Sequence, residues 1–302
     1  MFRINLVLPA AIALGVLAGC AENKQLKPIV LQTDFGLKDG AVSAMKGVAY
    51  GVDPKLGLFD LTHEIPAYNI WEAAYRLSQT VPYWPAETVF VSVVDPGVGT
   101  DRQSVVARTR SGQYIVTPDN GTLTLLADEI GIESLRQIDE AVNRRQGSAA
   151  SYTFHGRDVY AYTAARLASG QISFEQVGPE LKRPVIKIPY QPATLSNGIL
   201  KGNIPVLDIQ YGNAWTNIPD SLVKKAGVQI GDSLQIRILH GDSLVYQERI
   251  RFVNTFGDVA EGKPLVYLNS LLNLSVALNM ANLAAEKKVG SGADWKLEAS
   301  KL

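Results

Sequence analysis

Ten residues from Val93 to Arg102, reading Val-Val-Asp-Pro-Gly-Val-Gly-Thr-Asp-Arg, concentrate the chemistry of this chain. Asp95 closes a β-branched and apolar run from Thr88 to Val94, which reads as a buried parallel strand delivering a carboxylate at its carboxyl end. Open α/β sheets bind their ligands at that end of their strands. Pro96, Gly97 and Gly99 then turn the chain back, so that Arg102 can face Asp95 across a short loop. Such a carboxylate and guanidinium can hold a water or an anion between them, or form a salt bridge that only staples the loop. Other polar residues stand at strand ends in the same way: Asp34 after Ile29 to Gln32, and His63-Glu64 after Leu56 to Leu61. His155 precedes a helix and suits either a structural hydrogen bond or proton transfer. His63 and Glu64 have no third ligand at useful spacing, so no metal site is expected.

These residues need elements to carry them. Helical spacing of Val42, Met45, Val48 and Ala49 predicts a helix from Asp39 to Val52, and Ile70 to Thr80 a second one. Ser104 to Arg110 and Gln113 to Thr117 read as a hairpin, followed by a helix near Leu123 to Ile130. Strands alternating with helices, plus a hairpin, predict an N-terminal α/β domain over residues 29–190 with a central mixed sheet flanked by helices. Pro189, Pro192, Asn197 and Gly198 place a linker at residues 191–198. Short strands with Gly turns then dominate residues 199–302, which predicts a smaller, β-barrel-like C-terminal domain. His240 falls in a hairpin turn there.

The chain has 302 residues, 46% hydrophobic and 19% charged, long enough for two domains. Twenty-nine basic residues balance twenty-nine acidic ones with no basic cluster, so nucleic acid is not an expected partner. The single cysteine, Cys20, follows one positive charge at Arg3, an apolar run from Ile4 to Ala18, and Gly19. That run falls short of the roughly twenty apolar residues of a spanning helix and reads as a lipoprotein signal over residues 1–20, with Cys20 lipidated and residues 21–28 a tether. Several acyl chains would hold the protein on a membrane. With Ala21 after the cysteine, the expected destination is the periplasmic side of the outer membrane.

Five motifs stand in order along the chain: Thr33-Asp34-Phe35-Gly36; Asp95-Pro96-Gly97-Val98-Gly99 with Arg102; Thr117-Pro118-Asp119-Asn120-Gly121; Phe154-His155-Gly156-Arg157-Asp158; and Tyr211-Gly212-Asn213-Ala214-Trp215-Thr216-Asn217. Together they resemble the S-adenosylmethionine hydroxide adenosyltransferases, relatives of fluorinase and chlorinase, over nearly the whole chain from Pro28. The resemblance implies a homotrimer with the substrate held between the α/β domain of one subunit and the β domain of its neighbour. It implies water attack at ribose C5′ to give adenosine and methionine, with no metal or organic cofactor. Asp95, Arg102 and His155 match the family's hydrolytic set, and which of Asp95 and His155 acts as base stays open. Asp34 matches the carboxylate on the ribose diol, while Asp39 and Asn120 join it as substrate-binding candidates. Asp208 and Ser270 match the positions at the methionine ammonium, and Asn213 the adenine edge. Tyr68, Tyr211 and Trp215 offer stacking faces or core packing.

The chain departs from that pattern in places. Gly156 stands where fluorinase has a halide-contacting Ser, which argues against fluoride chemistry. Leu271 and Leu278 stand where fluorinase has Arg residues near the methionine carboxylate and the adenine. A hydrolase is the leading expectation. A nucleoside-binding lipoprotein without turnover is the alternative, and a halogenase ranks third.

Overall fold

The computed structural model describes residues Leu26 to Leu302; the signal segment, Cys20 and residues 21–25 of the tether lie outside the described residues. A six-stranded sheet forms the centre of the first domain. Its strands are β1 (Ile29–Thr33), β2 (Leu58–Thr62), β3 (Val89–Val93), β4 (Ser104–Thr109), β5 (Tyr114–Pro118) and β6 (Ile132–Gln137), in the order β2-β1-β3-β5-β4-β6. β1, β2, β3 and β5 run parallel, whereas β4 is antiparallel to both β5 and β6, so the sheet is mixed. β3 explains why the sheet is covered on both sides. Val89, Val91 and Val93 enter one core cluster, Phe90 enters the other, and the buried Ser92 hydroxyl accepts from Gln32 Nε2 at 2.8 Å.

Helices α1 (Ala41–Val52) and α2 (Ile70–Thr80) link the first three strands, and α3 (Thr124–Glu129) follows β5. Asn69 caps α2 by accepting from the Glu72 amide at 3.0 Å. A short helix, α4 (Glu140–Asn143), precedes a π-helical turn, Gly156–Ala161, that runs directly into α5 (Tyr162–Ala168). Met45 of α1 and Ala164 of α5 pack with β3 on one face, and Leu77 of α2 and Leu126 of α3 on the other. Because β1 continues to β2 on one side and the chain then returns to β3 on the other, strand order reverses between β1 and β3. That crevice is where such sheets take ligands.

Residues after β6 stay with the first domain: the Ile186 amide donates to Asp119 Oδ1 at 3.0 Å and the Ile188 amide to Thr124 Oγ1 at 2.9 Å. Within the stretch read as a linker, β7 (Thr194–Ser196) already pairs with β8 (Ile199–Asn203). The second domain adds β9 (Val206–Leu207), β10 (Ala214–Pro219), α6 (Asp220–Lys225), β11 (Ser233–His240), β12 (Ser243–Arg251), β13 (Pro264–Leu268), β14 (Asn273–Leu278), α7 (Leu283–Lys287) and β15 (Trp295–Lys301). These strands form two sheets, β13-β14-β10-β9 and β12-β11-β15-β8-β7. Leu234, Ile236 and Ile238 of β11 share one core with Leu274, Val276 and Leu278 of β14. A single bridge between Phe252 and Val266 joins the sheets, so the barrel-like expectation resolves into two antiparallel layers linked at one side. Trp71 ties the domains together: its indole donates to the Pro205 carbonyl at 3.1 Å, inside an apolar cluster with Tyr75, Leu125, Val206 and Leu271.

Candidate active site

Parallel pairing of β1 with β3 sets Thr33 beside Val93, so Asp34 and Asp95 emerge side by side at the carboxyl ends of neighbouring strands. A cavity of about 240 Å³ opens there, lined by Asp34, Phe35, Tyr68, Asp95, Phe154 and His155 among others. The loop after β3 closes tightly behind it. The Val98 amide donates to the Asp95 carbonyl at 3.2 Å and the Thr100 hydroxyl to the Gly97 carbonyl at 2.7 Å. A Cβ on Gly97 would stand 3.1 Å from Arg102 Cγ, and Gly99 takes a φ of +77°. Gly99 needs glycine for its left-handed backbone, and a side chain at Gly97 would press on Arg102.

Arg102 meets Asp95 directly. Nε donates to Asp95 Oδ1 at 2.8 Å, Nη2 bonds Oδ2, and Nη1 donates to Ser104 Oγ at 2.8 Å. The pair is therefore a closed, bidentate one with both side chains largely buried, and it leaves no gap for a water between its members. Asp95 lines the cavity while Arg102 stands behind it. Burial opposes the Arg102 charge, but the bonds from Asp95 and the nearby Tyr160 outweigh it and raise its pKa above the ordinary value. Tyr160 completes the network, donating to Asp95 Oδ2 at 3.3 Å and accepting from Ser104 Oγ at 3.2 Å. Burial first, and then Asp95, push its phenol up, so it stays protonated.

His155 opens the π-helical turn, whose wider winding sets its ring and that of Tyr160, five positions on, 6.5 Å apart. The imidazole is buried. Its Nε2 lies 3.1 Å from Arg144 Nη2 and 3.6 Å from Glu140 Oε1, and its Nδ1 has no partner among the described residues. Glu140 Oε2 accepts from Arg144 Nε and Nη2 at 3.2 and 2.7 Å, and this pairing holds its carboxyl below the usual carboxylate range against the opposing effect of burial. Gly156 sits against Phe35, 3.1 Å from where a Cβ would be, so a side chain here requires the ring to move.

Other residues singled out in the sequence have separate places. Asp34 Oδ2 accepts from the Tyr68 amide at 2.9 Å, fixing Tyr68 at a φ of 67° with its ring exposed over the cavity. Asp39 accepts from the Ala41 amide at 2.8 Å at the start of α1 and does not line this cavity. Asn120 ties the loop after β5 to the end of β3, donating to the Val94 carbonyl at 2.9 Å and accepting from Thr122 Oγ1 at 2.8 Å. His63 is held between Thr33 Oγ1 at 2.9 Å and Asp60 Oδ1 at 3.0 Å, a structural tie.

Asp208, Tyr211 and Asn213 line a different and larger cavity, about 640 Å³, on the second domain with Phe256, Tyr267, Leu278 and Met280. Asp208 Oδ1 accepts from the Gln210 amide at 3.1 Å, and Asn213 Oδ1 is buried without a partner. Among the described residues, none lines both cavities. Ser270 is exposed in the turn between β13 and β14 and lines neither. Trp215 packs in the interdomain cluster, and so does Leu271, whereas Leu278 faces the larger cavity. Glu140, Arg144, Ser104 and Tyr160 escape the sequence reading. Asp139, which caps the Ala141 amide at 3.0 Å, followed by Glu140 and Arg144 at i,i+4 spacing, is the signal that points to the first two.

Fold and site define a two-domain α/β and β protein with a buried carboxylate, guanidinium and imidazole at a sheet switch point and a second cavity on its β domain. The profiles described as the SAM hydroxide adenosyltransferase N-terminal and C-terminal domains match residues 29–178 and 202–296. The chain belongs to the SAM hydroxide adenosyltransferase family. A protein named (R)-S-adenosyl-L-methionine hydrolase from Methanocaldococcus jannaschii is 36% identical over 234 residues, 76% of this chain and 80% of that one. A fluorinase from Actinoplanes sp. is 30% identical over 290 residues, 87% and 95% of the two chains. A conserved protein from Thermotoga maritima, solved by crystallography, superposes with a TM-score of 0.81 at 32% identity, covering 90% of this chain and 99% of its own.

Proposed function

We propose that the protein hydrolyses S-adenosyl-L-methionine to adenosine and L-methionine. The observation that carries this reading is the convergence of Asp95, paired to Arg102, with His155 on one cavity at the β1/β3 switch point. A sulfonium leaves as a neutral thioether, so the reaction needs no acid on the leaving group and reduces to aiming and activating a water. As the water oxygen bonds C5′, the C5′–S bond breaks with its electron pair going to sulfur. The water's proton passes to a group lining the cavity. Hydroxide-like negative charge and sulfonium positive charge cancel as the reaction proceeds, which a partly dry site favours. The reaction needs only the substrate and water, and no cofactor is invoked.

Asp34 suits the ribose diol. The unpartnered Asn213 Oδ1 suits an exocyclic amine on the base, with Tyr211, Phe256 and Tyr267 providing apolar faces. Asp208 suits the methionine ammonium. These groups and Asp95 line separate cavities of one chain, which suits a complete site between the first domain of one subunit and the second domain of another, in the homotrimer that the family resemblance implies. The lipoprotein signal read in residues 1–20 supports an assembly anchored through Cys20 on the periplasmic side of a membrane.

The test is to incubate the purified protein with both sulfonium epimers of S-adenosylmethionine, since the named relatives act on the (R) form. Adenosine and methionine are followed by chromatography, with His155→Ala alongside. Equal amounts of both products from the wild type, and little from the variant, are expected. Calorimetric binding of adenosine without any product would support a nucleoside-binding protein, a reading that the apolar Leu278 in the larger cavity favours.

A further inference from the structure

The His155 ring is held by one nitrogen, and its neighbours decide which proton it carries. A guanidinium has only donors. With Arg144 Nη2 3.1 Å from Nε2, that nitrogen must offer its lone pair, because a proton there would set two N–H donors against each other. Glu140 Oε1, at 3.6 Å, is too far to claim an Nε2 proton. Arg144 is itself fixed: Nε and Nη2 donate to Glu140 Oε2 at 3.2 and 2.7 Å, and its guanidinium lies 4.6 Å over the Tyr152 ring. The charged and titratable groups around His155 are thus Glu140 and Arg144 behind it, Tyr152 and Tyr160 beside it, and Asp95 and Asp34 on the cavity it lines.

We infer that Arg144 is a positioning residue that locks neutral His155 in the Nδ1–H tautomer, so that His155 enters the cavity as a hydrogen-bond donor and not as the base. The buried, unpartnered Nδ1 agrees, since a donor there awaits an acceptor such as the attacking water or a ribose oxygen. Asp95 is then the acceptor. The proton that water loses as its oxygen bonds C5′ goes to the Asp95 carboxylate, and from there to solvent. This consequence for catalysis rests on the hydrolase reading, but the tautomer does not.

Nitrogen NMR of the protein labelled with ¹⁵N-histidine tests it without substrate. Only His63, His155 and His240 contribute, and single substitutions assign them. In the wild type near neutral pH, His155 should show a protonated, pyrrole-type Nδ1 and a pyridine-type Nε2; an Nε2–H tautomer or an imidazolium overturns the inference. Arg144→Met should release the ring to an Nε2–H form. The same variant should lower kcat on the order of 10²-fold with KM little changed. A folded Arg144→Met with the wild-type tautomer overturns the lock, and one with a switched tautomer but full kcat overturns its role in catalysis. If Arg144→Met does not fold, the wild-type spectrum still decides. Absence of hydrolysis in the wild type would appear in the product assay alone, so the two readings fail separately.

Discussion

Among single residues, Arg102 has the most to lose. Its bonds to Asp95 lie in a site where both partners are largely buried, and removing one partner of such a pair leaves the other charge uncompensated. Arg102→Ala should therefore cost about 3–5 kcal/mol in a urea unfolding curve. Under saturating substrate it should lower kcat by about 10²–10⁴-fold while leaving KM within a few-fold; equal losses would mean that Arg102 holds substrate. Glu140 makes a pH prediction. Paired with Arg144, its carboxyl is held below the ordinary 4.5 in the folded chain, so ionised Glu140 stabilises the fold fully above about pH 4.5, and that contribution is lost as the pH falls through the lowered value. Urea midpoints of Glu140→Gln should vary less than those of the wild type across that window. The Asp95–Arg102 pair was legible from sequence because a seven-residue separation across a Pro-Gly-x-Gly turn can close it locally. The sequence left open whether the pair would hold a water or close on itself as a salt bridge, because only the folded loop sets the distance between them. Nor was the Glu140–Arg144 support of His155, which depends on tertiary packing of a polar stretch against the π-helical turn.

Elements were legible where periodicity was strong. α2 ends where its pattern does, at Ile70 and Thr80, because Trp71, Ala74, Tyr75 and Leu77 are all buried on one helix. β15 escaped because only Leu297 and Ala299 of its seven residues are buried, and Lys296, Glu298 and Lys301 break the apolar signal although the strand lies inside its sheet. The π-helical turn has no signal of its own in composition. What it does is geometric: one wider turn sets Tyr160 on Asp95 and His155 on the cavity together. The β3 loop gives the element-scale prediction. Gly99→Ala forces a side chain into a left-handed conformation and should cost about 1–2 kcal/mol in thermal or urea unfolding, with kcat falling as Arg102 is displaced.

For the molecule as a whole, the two domains are fastened where Trp71 meets Pro205 and Leu271 joins the same apolar cluster. Leu271 thus serves packing inside the subunit, which gives the departure at that position a physical use. Trp71→Phe should keep most of the apolar burial and lose the indole bond, costing about 1 kcal/mol by calorimetry. Two domains and their classes were legible from the change in strand and turn pattern after Pro184, while the two-layer arrangement of the second depended on which strands pair across the chain.

One cavity carries Asp95 and His155, and another, sharing no residue with it, carries Asp208 and Asn213. In genetic terms, two dead alleles should then rescue each other. Chains carrying Asp95→Asn spoil only the first half of a site, and chains carrying Asn213→Ala only the second. If the chain assembles into the proposed ring of three, about a quarter of the interfaces in an equal refolded mixture should pair two intact halves. Activity returning in that mixture, from two preparations each inactive alone, would mean that the catalytic unit is the junction between chains and not the chain.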